Sequence, residues 1–182
     1  QTPRRPTPVP PNPLPPRSMA RLTYAVNPAE MGGTFWGRRN FTTSFRLNGK
    51  DYTDKLTISS VIKDNFDKLT REEIAAAGTP VIDRSYFEFG EVKKGAVVTA
   101  TYTIKNKGKN PLVIHHIDGQ AGASSVQTKM PLTVKPGGKA EVKVQFNTAS
   151  LDYTGEVIEV LTVITNSPSK PILNLFITGN VK

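Results

Sequence analysis

Between Val98 and Asn106, apolar and polar residues change places at period two. Val98, Ala100, Tyr102 and Ile104 fall on one side, and Thr99, Thr101, Thr103 and Lys105 on the other. A strand turns successive side chains to opposite faces, so the run predicts a strand with one dry face and one wet one. An aromatic-rich strand, Ser85–Val92, precedes it across Lys93–Lys94–Gly95, and Pro111–Ile117 follows it across Asn106–Lys107–Gly108. Such alternation belongs to antiparallel sheets covered on one side. Continued over 83–182, the pattern predicts seven strands, near 84–91, 97–106, 111–117, 124–129, 138–147, 156–166 and 171–181. In the last of them Leu173, Leu175 and Ile177 share a face, with Ile172 and Phe176 opposed. Seven short strands in about a hundred residues read as a sandwich rather than a larger barrel.

Upstream the same pattern recurs. "LPPRSMARLTYAVN" (14–27) aligns with "VKPGGKAEVKVQFN" (134–147), and "LTISSVIK" (56–63) with "LFITGNVK" (175–182). Between the two early pieces, Asn48–Gly49 joins two strands as a hairpin, the dipeptide that suits a turn with both central residues at positive φ. Residues 17–63 therefore read as the last three strands of a second, partial copy of the domain. Leu22, Tyr24, Val26, Phe41, Phe45, Leu56, Ile58 and Ile62 would form its apolar face. Three strands cannot bury such a face alone. A partner protein, a second copy of this chain, or the 83–182 domain with its linker could cover it.

Two connecting segments differ in kind. Residues 1–16 hold eight prolines, which fix φ and remove donors, so an extended arm is expected, either a solvated tail or a segment laid on a partner. Residues 64–82 form a linker. There Thr70–Arg71–Glu72–Glu73 fits a capping box, an Ile–Ala–Ala–Ala run favours helix and Gly78 stops it. A short helix of about two turns is expected.

The segments "FEFGEVKKG", "YTIKNKGKNPLVI", "LTVKPGGKAEVKVQFN" and "VLTVITNSPSKPILNLFITGNV" together resemble the Hydin-like (ASH-type) immunoglobulin-fold domains, above all those of tandem-domain envelope proteins of Bacteroidetes. The resemblance covers roughly 83–182 and implies an all-β, immunoglobulin-like β-sandwich preceded by the partial three-stranded copy. It also implies an envelope setting, with Gln1 a mature terminus left by signal removal, although a fragment boundary would look the same. In that family the loop after the third strand often carries Cys–Gly–Cys. Here those positions are Ala121–Gly122–Ala123, which removes any thiol chemistry.

Charge changes the picture at one end only. Residues 1–50 carry eight basic groups against Glu30, a net +7 of the chain's +9. Arg4, Arg5, Arg38 and Arg39, with Trp36, Tyr24, Val26 and Phe41, are the candidate partner-binding residues of this quarter. Aromatics interleaved with arginine can also stack bases. Because Tyr24 fits a core phase, an anionic protein, glycan or lipid surface is the better expectation, and no nucleic acid is expected.

Catalytic patterns are missing from the sequence. It holds no cysteine, no G-x-S-x-G, no phosphate-binding glycine loop and no paired carboxylates flanking a site. His115 and His116 are adjacent, so strand geometry would point them to opposite faces and deny them a shared metal. No cofactor or metal is expected, and no apolar run reaches the length of a spanning helix. The expectation is a non-enzymatic interaction or scaffold subunit in the periplasm or at the periplasmic face of the outer membrane, touching the membrane only through a partner. A periplasmic chaperone-like client binder and a carbohydrate-binding module using Trp36 and Tyr153 are the alternatives. Self-association stays open.

Overall fold

The computed structural model describes residues 14–19, 27 and 35–182. The chain divides into two compact units, 1–62 and 63–182. The Pro-rich segment up to residue 13, and Leu22, Tyr24 and Val26 of the expected first strand, lie outside the described residues.

In the first unit, β1 (Gly37–Leu47) and β2 (Lys50–Ile62) form an antiparallel hairpin. Its turn is the Asn48–Gly49 pair, with φ of 51° and 77°, as the type of turn requires. One face is written in cross-strand polar pairs. Asn40 accepts from Ser59 at 2.7 Å, Thr42 and Thr57 share a hydrogen bond of 3.0 Å, and Arg46 donates to Asp51 at 2.8 Å. On the other face Phe41, opposite Ile58, is buried. Cross-strand pairs of both kinds stabilise a ribbon too narrow to hold by backbone alone.

The second unit is an immunoglobulin-like β-sandwich. One sheet has the order β4 (Tyr86–Val92), β11 (Ile172–Val181), β10 (Gly155–Thr165), β6 (Leu112–Gly119), β8 (Leu132–Val134). The other runs β3 (Pro80–Ile82), β5 (Val97–Asn106), β9 (Lys139–Asn147), β7 (Ser124–Val126). Between them Tyr102, Ile104, Leu112, Ile114, Val142, Val144, Phe146, Leu161, Leu175 and Ile177 form the core. The alternation predicted for β5 and β11 is the one observed.

Nine strands replace the expected seven. The additions, β3 and β8, have three residues each, too few for a periodic signal. β3 also draws the end of the expected linker into the second sheet, by pairing Val81 with Lys105. The compact unit accordingly starts at Lys63 rather than at 83. The helix α1 (Arg71–Ala76) forms with the expected box: Thr70 N–H donates to Glu73 Oε2 at 2.8 Å and Glu73 N–H to Thr70 Oγ1 at 3.2 Å. Its final carbonyls are taken up by the β5–β6 turn, where Lys109 and Asn110 N–H both donate to Ala76 O. Only glycine fits there, because a Cβ on Gly108 would lie 2.0 Å from Ala77 O.

Asn106 ties this end of the sandwich together. Its Oδ1 accepts from Thr79 N–H (3.0 Å) and Gly108 N–H (2.9 Å), and its Nδ2 donates to Asn110 O (2.8 Å) and Val134 O (3.0 Å). Its backbone pairs with Gly137 and Gly138. At 1% exposure it is the most connected polar residue of the core's rim. A second link crosses the sandwich: the Tyr102 hydroxyl on β5 donates to Phe176 O on β11 at 2.8 Å. Burial pushes that phenol's pKa up, so it stays a donor.

Three expected outcomes follow from this packing. Leu175→Ala should destabilise the second unit by about 2–5 kcal/mol, the range for a fully buried leucine, and an unchanged denaturation midpoint would contradict the register. Asn106→Ala removes four side-chain hydrogen bonds and strands buried partners, so a loss of about 3–5 kcal/mol is expected, with Asn106→Asp no better because it cannot donate to Asn110 O and Val134 O. The backbone and side-chain hydrogen bonds of Thr70 hold the Glu73 carboxyl below its ordinary value. A depressed carboxylate stabilises above its unfolded pKa, and that contribution disappears as pH falls through the folded value. The Thr70 amide shift should therefore titrate with a midpoint below the ordinary glutamate value; a midpoint at the free value would mean the box is not formed in solution.

Candidate interaction surface

Polar residues that look chemical in the sequence are engaged structurally. β6 is bulged: Ile164 pairs with His116 but Thr165 with Ile114, leaving His115 as the extra residue. Inward positions run Leu112, Ile114, Ile117, so the phase slips at the two histidines and both stay off the core. The expectation of opposite faces is thus corrected. Each ring meets its own carboxylate, His115 Nε2 to Asp64 at 2.9 Å and His116 Nε2 to Asp118 at 2.6 Å. The Asp64 contact brings the segment before α1 against β6. No group of three or more potential metal ligands occurs among the described residues.

Glu159 is the residue the sequence reading missed. It lies in phase with Val157, Leu161 and Val163, and is 1% exposed. β6 ends at Gly119, opposite Leu161, so the inner face of β10 at Glu159 is covered by the 119–124 loop. There Glu159 accepts from Ala121 N–H at 3.0 Å and from Ser124 Oγ at 2.9 Å. A Cβ on Gly119 would meet Glu159 Oε1 at 2.5 Å. The Ala121–Gly122–Ala123 turn is thus shaped from beneath by a carboxyl group. The signal that marks Glu159 was its phase within the "VIEVLTV" alternation.

Of the basic candidates, Arg38 and Arg39 alternate across β1: Arg38 is exposed, Arg39 is half-buried and its Nη1 donates to Arg38 O. Trp36 is half-buried. Phe41 is 5% exposed, so its ring is covered within the chain and gives a partner nothing to touch. Arg4, Arg5, Tyr24 and Val26 lie outside the described residues.

The outward face of the five-stranded sheet carries adjoining exposed apolar side chains. Register places Tyr86, Phe176 and Val160 in one row, and Glu88, Thr178 and Ile158 in the next. The Tyr86 and Phe176 rings stack at 4.6 Å and 12°. Tyr86 is 57% exposed and Ile158 70%. Inward, Phe87 and Phe89 of the same strand pack on the core, which fixes how the outward pair is held. Exposed, adjoining apolar side chains of this kind mark binding surfaces more often than isolated ones do.

β4 is also the long open edge of the sandwich. It has seven residues, whereas the other edge strands β3, β7 and β8 have three. A register shift against β11 after Glu88, with Gly90 at φ 70°, limits its regular part to the first half.

Comparison with solved structures finds a protein of unknown function from Porphyromonas gingivalis W83, with 20% identity, a TM-score of 0.62, and coverage of 79% of this chain and 66% of that one. The chain thus spans just under two thirds of that relative, and the likeness is one of fold. The PapD-like domain 7 of human CEP192 (12% identity, TM-score 0.43, 68% of this chain and 96% of that one) is a fainter likeness. So is the Pseudomonas aeruginosa CupB2 chaperone (13%, TM-score 0.40, 56% and 55%). Comparison with curated proteins gives no match. A family model described as a protein of unknown function, DUF1573, matches residues 81–181, which is the sandwich from β3 through β11, and the chain belongs to that family.

Proposed function

We infer that the protein is a non-enzymatic interaction or scaffold subunit of a bacterial envelope assembly, working in the periplasm or at the periplasmic face of the outer membrane. The observation that carries the reading is the outward Tyr86–Phe176–Ile158 surface, apolar side chains left in water on a sheet whose other face is fully packed. His115, His116 and the buried Glu159 each have a structural partner, which is consistent with a binding role. The envelope setting rests on the resemblance to Hydin-like, ASH-type domains of Bacteroidetes envelope proteins. The basic N-terminal quarter would speed encounter with an anionic partner and keep the chain soluble.

A chaperone-like client binder is the second reading, favoured by the seven-residue open edge of β4. It differs in exchange: a client leaves, a scaffold partner stays. A carbohydrate-binding role would need Trp36 and Tyr153 as exposed platforms; Tyr153 is exposed but Trp36 is half-buried.

The test is affinity capture from detergent-solubilised envelope with wild type, with Ile158→Asp, and with Arg4, Arg5, Arg38 and Arg39 neutralised. The scaffold reading expects one stable co-eluting component, lost with Ile158→Asp, and weaker, less salt-sensitive capture with the arginine variant. Thermal unfolding should be nearly unchanged, since exposed charges contribute about 0–1 kcal/mol per pair. Rapid exchange of many proteins would favour the chaperone, and turnover abolished by one polar substitution would overturn a non-enzymatic role.

A further inference from the structure

Resting on that binding reading, we propose that the β4 edge takes up an extended segment of a partner protein that carries an apolar and a basic residue two positions apart, adding it to the five-stranded sheet as a sixth strand. Backbone geometry defines the docking line. Phe176 N–H donates to Ser85 O at 2.8 Å, and in a parallel ladder this turns the N–H and C=O of Phe87 towards β11. The N–H and C=O of Tyr86 and Glu88 therefore face the open side. No backbone hydrogen bond reaches them from another described strand. Unpaired edge groups of this kind are a template for another strand.

The same two residues set the chemistry. Their side chains stand on the outward face, so an added strand would lay alternate residues beside the Tyr86–Phe176 stack and beside Glu88. Glu88 and, on β10, Glu156 are exposed and form no ion pair among the described residues. The outward positions of the two rows, Tyr86–Phe176–Val160 and Glu88–Thr178–Ile158, carry no lysine or arginine. Between Arg84 before it and Lys93 after it, β4 carries Glu88 and Glu91 and no base, so a basic residue complements Glu88 at the strand's centre. A second copy fits less well. Antiparallel pairing of two β4 strands centred on Glu88 would set like carboxylates opposite each other, and like charges in register destabilise a pair. The shift beyond Glu88 keeps the ladder short, so affinity must come from the aromatic platform as much as from backbone pairing.

The full chain tests this with an acetylated, fluorescently labelled octapeptide that repeats valine–threonine–lysine–threonine, setting valine and lysine two positions apart on one face, against the same peptide with glutamate in place of lysine. Saturable binding of the lysine peptide is expected, with new hydrogen-exchange protection at the Tyr86 and Glu88 amides. Glu88→Lys should weaken it roughly threefold to tenfold, the scale of one or two exposed charge contacts. Glu88→Pro, which removes one edge donor while leaving the Phe87 bonds to β11, should weaken both peptides if folding is retained by circular dichroism. No saturable binding, equal binding of both peptides, or protection confined to the β1–β2 hairpin would overturn the proposal. Light scattering that showed a β4-dependent dimer would assign the edge to a second copy and overturn it as well. If envelope capture persists undiminished with Glu88→Lys, the edge proposal fails while the scaffold reading stands. Absence of any stable capture by wild type would instead fail the scaffold reading.

Discussion

A buried amide that meets all its hydrogen-bonding capacity constrains this fold more than any single apolar contact. Asn106 ends β5, yet its side chain is shared among Thr79, Gly108, Asn110 and Val134. Those partners belong to the entry into β3, the β5–β6 turn and β8. Two of the short strands, β3 and β8, are thereby tied in by hydrogen bonds as well as by the burial of Val134 and the packing of Ile82. Asn166 works at the same end, accepting from Val113 N–H at 2.8 Å and donating to Pro111 O at 3.2 Å. Apolar packing is non-directional and would tolerate small slides of one sheet over the other. Directional bonds to buried carbonyls do not, because each broken one leaves a desolvated group without a partner.

That division of labour explains what could be read in the sequence. Strands β5 and β9 were legible because nine or ten residues alternate, and β11 because Leu173, Leu175 and Ile177 keep one phase. The hairpin turn and the capping box were legible because Asn48–Gly49 and Thr70–Glu73 satisfy local geometry with local residues. β3 and β8 were not, since three residues carry no period and their places depend on Asn106, distant in sequence. The bulge at His115 escaped for a related reason. Nothing in "LVIHHID" distinguishes a slipped phase from a regular one until β10 supplies the register. The interaction surface was hidden differently: Tyr86, Ile158 and Phe176 are dispersed in sequence and meet only because β4 joins β11 in parallel.

The parallel pairing has a further consequence. The hairpin partner of β11 is β10, on its other side. β4 enters from β3 in the opposite sheet, so one stretch, Pro80–Val92, serves both layers. Such a crossing segment closes the side of the sandwich while leaving its own outer backbone groups unpaired. The open edge and the exposed aromatic stack are thus by-products of how the two sheets are joined. Recognition built on them would not compete with packing, because Phe87 and Phe89 already spend the strand's inward face on the core.

At the far end of the sandwich a carboxyl group does what Asn106 does at the near one. The loop from β6 to β7 must cross between sheets, and its backbone N–H groups would be left without partners over an apolar core. Glu159 reaches up from β10 to accept from Ala121 N–H and Ser124 Oγ. Gly119 admits that carboxyl only because it has no Cβ. Ala121 and Ala123 flank Gly122 here, and the loop's shape depends on a charge-capable side chain held beneath it. An inward-phase glutamate at the end of an otherwise apolar strand is therefore a packing element of the loop, and its cost in desolvation is offset by the donors the loop turns down to meet it.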